Sequence, residues 1–219
     1  MKIPTSPFRT DLAMESLELN RRERKLADKL PGVRSRERQI EGFSVTSVEI
    51  LDETGANMLG KPAGVYETLC LDALMRREED AFPRACRALS GLVRDMLPDA
   101  ADAPVLIAGL GNRQITPDAV GPRAADYVIA TRHLTKHEPE LFASWRPVSA
   151  LSPGVLGQTG VETGEVIAGM VDTIRPAAIV AVDALAAGSL SRLTRTVKVS
   201  SAGIVPGSGV ENARTALSR

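Results

Sequence analysis

Hydrophobic and polar positions alternate in two different ways along this chain, and the change falls near residue 104. Before it, Glu15 to Leu30 reads as a charged helix stopped by Pro31-Gly32, and residues 42–51 and 64–71 are rich in β-formers. Asp52 to Lys61 carries the turn residues of a connection between those two strands. Ala85, Leu89, Leu92, Val93 and Met96 recur at helical spacing, predicting a helix that ends by Pro98. After it, short apolar runs alternate with helical patterns. Val105–Ala108, Arg146–Leu151, Ala178–Val182 and Arg195–Ser200 read as strands, and 118–131 and 159–174 as helices. Strand-helix alternation of this kind predicts an α/β fold, a mostly parallel open sheet with helices on both faces. The expected organisation is a leader at 1–11, with Pro4 and Pro7 keeping it out of helix. An N-terminal α/β extension follows at 12–103, then a parallel α/β portion at 104–219.

Composition narrows the function classes. Lys plus Arg equals Asp plus Glu at 27 each, so no global field would hold the protein on nucleic acid or membrane. The first forty residues have ten basic against six acidic side chains, a local excess that a solvated helix face accommodates. Aromatics are 3%, too few for base-stacking platforms. The start of the chain has no apolar signal region, and no apolar run reaches the length of a membrane span, so a cytoplasmic protein is expected. Cys70 and Cys86 lack disulfide-framework or metal spacing, and Cys86 is expected as a buried thiol on the apolar side of its helix.

Chemistry in an open parallel sheet collects at the carboxyl ends of its strands. Three segments fall there: 109–122 (GLGNRQITPDAVGP), 152–160 (SPGVLGQTG) and 183–188 (DALAAG). Gly109-Leu110-Gly111-Asn112 lacks the third glycine and the Lys-Ser/Thr of nucleotide loops, so it reads first as a tight strand-to-helix turn. Asp118 after Thr116-Pro117 suits either a helix start or a site. Asp183 closes the apolar run AAIVAVD with no capped helix behind it, and a carboxylate there needs a partner. Two converging carboxylates could share a proton, one acting as base on water and the other as acid on a carbonyl oxygen, with glycine N–H groups steadying the oxyanion. His133 and His137 stand four apart near a helix end without the glutamate of HExxH, and Ser208 in PGSGV lacks the GxSxG frame.

Several separated motifs, in order, resemble the germination proteases of spore-forming bacteria. They are Arg9-Thr10-Asp11-Leu12-Ala13, GLGN (109–112), TPDAVGP (116–122), TRHL (131–134), PGVLGQTGVET (153–163), VDALAA (182–187) and GIVPGSGV (203–210). The resemblance covers nearly the whole chain. It implies a fold similar to the hydrogenase-maturation peptidases, an endopeptidase without cofactor or metal, and a self-processing zymogen. It also implies assembly as a homotetramer and small acid-soluble spore proteins as substrate in the spore core, with no direct nucleic-acid partner. The family's two essential aspartates fall on Asp118 and Asp183, and Gly109, Gly111 and Asn112 become the oxyanion or substrate loop. The processing bond is expected at Asp11–Leu12, where Thr-Asp-Leu-Ala-Met-Glu is similar to the sites the family cuts; the other reading of Asp11 is a helix cap. Ser201-Ala202 and Glu211-Asn212 depart from the family pattern, and relatives run on past Arg219, so a C-terminally shortened chain is expected. Two alternatives stand beside this: a metal-dependent peptidase of the hydrogenase-maturation type, and a non-catalytic protein whose basic N-terminal helix reaches nucleic acid.

Overall fold

The computed structural model describes residues 10–24, 30–100 and 102–204. The leader before Thr10, Ser208, and Glu211-Asn212 lie outside them. In chain order the elements begin with α1 (Ala13–Arg24), β1 (Val33–Ile40), β2 (Phe43–Ile50), α2 (Glu53–Leu59), β3 (Gly64–Cys70), α3 (Asp72–Met75) and α4 (Ala81–Arg94). They continue with β4 (Val105–Gly109), α5 (Val120–Asp126), α6 (Arg132–His137), α7 (Pro139–Phe142) and β5 (Val148–Leu151). The last are α8 (Leu156–Thr159), α9 (Thr163–Ile174), β6 (Ala178–Val182) and β7 (Thr196–Ser200). The chain divides into two compact units, Met1–Met96 with Leu185–Ala202, and Leu97–Ala184 with Gly203–Arg219.

The first unit is built on a four-stranded antiparallel sheet in the order β1-β2-β3-β7. Its central strands bury side chains on both faces. Phe43, Val45 and Leu69 pack against Ala81, Ala85, Ala88 and Leu92 of α4. Val48, Ile50 and Tyr66 pack against Ala13 and Leu17 of α1 and Leu59 of α2. The buried positions of α4 recur every three or four residues, and Cys86 falls off that stripe. The expectation of a buried thiol is corrected: Cys86 is exposed. The segment 52–61, expected as a plain connection, holds α2, because the Asp52 side chain accepts the Gly55 N–H and Gly60 closes the helix in the left-handed region.

The second unit carries a three-stranded parallel sheet, β5-β4-β6, with α5 and α9 packed on it. Ala108 and Leu110 meet Ile167 of α9 in its core. The parallel sheet is thus smaller than the sequence pattern implies, since β7 pairs with β3 and belongs to the antiparallel sheet. The single helix expected at 118–131 is divided. A 3-10 turn spans Thr116–Asp118, α5 follows, and the backbone leaves helix by Val128. Helix 159–174 starts later, at Thr163, behind the left-handed Gly160, and Glu162 and Glu165 form a capping box. Among the described residues no helix is long and apolar enough to cross a membrane.

Candidate active site

The carboxyl end of β4 is tied to β6 one residue beyond the strand, where the Leu110 N–H donates to the Val182 carbonyl at 2.8 Å. Gly121, early in α5, sits on these two strand ends. A Cβ there would lie 2.2 Å from the Leu110 oxygen and 2.3 Å from the Val182 oxygen. Gly109 faces Gly121 in turn, with 2.2 Å between its would-be Cβ and the Gly121 oxygen. Close backbone approach is the reason these positions are glycine.

This packing brings the chain back so that Asp118 lies over the glycine-rich turn. Gly111 has φ +111°, and a Cβ on it would be 2.1 Å from the Asp118 carbonyl oxygen and 2.9 Å from Oδ1. The Asn112 N–H donates to Asp118 Oδ2 at 2.6 Å. Asp118 is also the acidic residue of the 3-10 turn that opens with Thr116-Pro117, as its reading as a helix start expects, while α5 behind it has Ala119 at its N-cap and no side-chain cap. The Asn112 side-chain oxygen accepts the Gln114 N–H at 2.9 Å and Gln158 Nε2 at 2.8 Å, linking the turn to α8. The Asn112 backbone N–H thus holds the Asp118 carboxylate on the turn. Asp183 follows the last residue of β6, half-buried, and its Oδ1 accepts the Ala184 N–H at 2.8 Å. So Gly109, Gly111, Asn112 and Asp118 form one cluster, and Asp183 leaves the neighbouring strand end at Val182. His133 and His137 are exposed on α6. Among the described residues no three His, Cys, Asp or Glu side chains group as a metal site requires.

Asp11 and Leu12 belong to the first unit, where they make a second polar cluster. The Asp11 N–H donates to the Ala186 oxygen at 3.0 Å, and the Ala186 N–H donates back to Asp11 Oδ2 at 2.9 Å. Leu12 is fully buried, and its N–H donates to Thr10 Oγ1. Helix α1 begins only at Ala13, so Asp11 is bonded to Ala186 where a cap would have been expected. Buried Glu15 accepts from the Thr10 hydroxyl and the Gly188 N–H and pairs with Arg192 at 3.3 Å. Lys61 Nζ donates to the Thr10 carbonyl at 3.2 Å, and Lys198 Nζ to that of Asp11 at 2.9 Å. Burial pushes both lysines below their ordinary range, Lys198 down to about 8. The like charge of Lys61 adds to the fall at Lys198, and Asp11 opposes it. Lys61, Arg192 and Lys198 carried no local sequence signal. Only the second acidic residue of the Asp11–Glu15 pattern pointed here.

A three-stranded parallel sheet with helices packed on it, Asp183 after one strand and Asp118 on the glycine turn behind its neighbour, defines an α/β protein with an open parallel sheet. Comparison with known proteins narrows this class. The chain belongs to the germination protease family, whose model matches residues 11–219. It is 43% identical over 211 residues to the germination protease of Caldanaerobacter subterraneus subsp. tengcongensis, covering 96% of this chain and 64% of the relative. With the germination protease of Clostridium perfringens identity is 39% over 208 residues, covering 94% and 63%. With that of Priestia megaterium it is 40% over 221 residues, covering 96% and 58%. The chain thus spans about three-fifths of the length of these curated relatives.

Proposed function

We propose that this chain carries the catalytic site of an endopeptidase that hydrolyses small acid-soluble spore proteins during germination. The observation that supports the reading is Asp118 held on the glycine turn behind β4 and Asp183 directly after the neighbouring β6, in a germination protease chain. One carboxylate takes a proton from water as it adds to the peptide carbonyl carbon. The other, protonated, donates to the carbonyl oxygen, and the C–N bond then breaks with the proton passing to nitrogen. The Asn112 N–H and the Gln158–Asn112 bond support this by fixing Asp118 before substrate arrives.

The proposal extends to a zymogen that processes itself at Asp11–Leu12, in the spore core, as a homotetramer. Leu12 is buried and the Asp11 backbone is bonded on both sides, so this bond must lift from its seat before it is cut.

The test is cleavage of a small acid-soluble spore protein, followed by mass spectrometry, with and without a strong chelator. Asp118→Asn and Asp183→Asn should each reduce turnover at least a thousandfold with unchanged circular dichroism, and the double variant should be little worse than either. Turnover near wild type in one single variant removes that aspartate from the mechanism. Activity abolished by chelator supports the metal-dependent reading in its place.

A further inference from the structure

Residues 113–117 are exposed, so no buried side chain fixes the stretch between Asn112 and Asp118. Its own hydrogen bonds close it. The Ile115 N–H donates to the Asn112 oxygen at 3.1 Å, and the Asp118 N–H to the Ile115 oxygen at 2.8 Å. Such a turn keeps its shape yet can still tilt as a unit. From it Arg113 reaches back to α5. Its guanidinium meets both oxygens of Asp126, Nη2 with Oδ1 at 2.8 Å and Nη1 with Oδ2, and Nη2 also donates to the Pro122 oxygen at 3.4 Å. A planar fork that meets a carboxylate at two points fixes direction as well as distance.

Asp126 ends α5, where the helix carbonyls disfavour a negative charge. Arg113 offsets this: its hydrogen bonds hold the Asp126 carboxyl below the ordinary range, and the charges of Arg113 and Arg123 act in the same direction. α5 is itself seated on the ends of β4 and β6 through Gly121. A clamp to α5 therefore ties the turn to both strand ends, and so to the point where Asp183 leaves β6. An ion pair about half exposed on both sides adds little to stability. The placement of a reacting group is far more sensitive, since a shift of about 1 Å can cost roughly a hundredfold in rate.

We propose that Arg113 is a positioning residue, anchored by Asp126, that fixes the Asn112–Asp118 turn on α5 and so sets the Asp118 carboxylate against the end of β6. This rests on the reading of Asp118 as a catalytic carboxylate. With a small acid-soluble spore protein as substrate, Arg113→Met should lower kcat about tenfold and leave KM within about twofold of wild type. Its thermal midpoint should stay within about 2 °C of wild type. Asp126→Asn should do the same, and the double variant should be no slower than either, because one contact is lost each time. Arg113→Lys keeps the charge without the fork and should remain impaired. Arg87→Met, which breaks an exposed pair with Glu41 in the first unit, should leave kcat alone. Wild-type kcat in Arg113→Met or Arg113→Lys overturns the proposal, as do losses that add in the double variant or that only follow a falling midpoint.

If wild type cuts nothing, or Asp118→Asn cuts as wild type does, the reading of Asp118 has failed, and the clamp is judged on the full chain by hydrogen exchange. The Asn112 amide, which donates to Asp118 Oδ2, should exchange at least about tenfold faster in Arg113→Met and in Asp126→Asn. The Leu110 amide, which donates to the Val182 oxygen, should not change. Wild-type exchange at Asn112 in both variants, or equal acceleration at Leu110, overturns the proposal.

Discussion

Gly111 and Lys198 are the two residues whose local physics reaches furthest. At Gly111 a side chain meets both a positive φ and the Asp118 backbone at 2.1 Å, so Gly111→Ala must move the turn, Asp118, or both. We expect a loss of about 3 kcal/mol of stability in urea titration and a fall in turnover, with no change in substrate length preference. Lys198 titrates at about 8 in the fold and near 10.5 when unfolded. Between those values the unfolded chain holds the extra proton, so the cost of charging Lys198 is complete below pH 8 and fades as pH rises toward 10.5. From pH 7.5 to 9.5 this term should add up to about 2 kcal/mol of stability, absent in Lys198→Met. Cys70 and Tyr66, whose acidic groups burial pushes up from 9.0 and 10.0, work in the opposite sense, Cys70 already within this range and Tyr66 above it. The difference between wild type and variant is therefore the quantity to measure, and equal pH slopes would refute it. Of the candidate residues, Asp183 stood out in the sequence because a charge at the end of an apolar run is unusual, whereas Asp118 after Thr116-Pro117 suited a helix start equally well. The lysines did not stand out, because each is an ordinary polar residue locally and acquires its role only by meeting a segment more than fifty residues away.

At the scale of elements, two glycines in helices make opposite predictions. Gly121 in α5 touches the ends of β4 and β6, and Gly121→Ala forces a Cβ within 2.3 Å of two carbonyl oxygens. It should cost at least about 3 kcal/mol, because the neighbours are backbone and cannot rotate away. Gly169 in α9 has nothing within 4 Å of its would-be Cβ. Gly169→Ala should stabilise by about 0.5–1 kcal/mol through the helix preference and the reduced freedom of the unfolded chain. Thermal melts decide both, and matching signs would contradict the packing described. The same packing explains which elements could be read in advance. Strands β2, β3, β4 and β6 have apolar runs and were found within a residue or two. β1 was missed: it is VRSRERQI, an edge strand largely open to solvent, with Arg38 paired to buried Glu67, so hydrophobic periodicity had nothing to report. Helix 118–131 was overextended because its apolar spacing continues past the point where the Tyr127 and Val128 amides turn back to Ala124 and Ala125.

The whole molecule is organised by a return of the chain that no local pattern announces. After β6 the polypeptide leaves the parallel sheet, and residues 185–202 complete the first unit. β7 pairs with β3 from Tyr66–Ser200 to Cys70–Thr196, and the Leu71 N–H continues the ladder to Arg195. Ser201, one of the departures from the family pattern, exchanges two hydrogen bonds with Val65, through its own N–H and through Oγ. Arg192 holds Glu15 and Glu18 of α1, and Lys198 holds Asp11. Periodicity identified β7 as a strand but could not name its partner, so the segment was grouped with the parallel portion that precedes it. A consequence follows for dissection of the protein. Residues 1–96 alone would leave β3 as an open edge and Glu15 buried without its cation, a state that favours edge-to-edge association or unfolding. The same residues joined by a Gly/Ser linker to 185–202 recover the fourth strand and both ion pairs of Arg192. We expect the linked form to unfold cooperatively in urea and to remain monodisperse, and residues 1–96 alone to do neither. Equal midpoints for the two would mean that the four-stranded sheet does not depend on the returning segment.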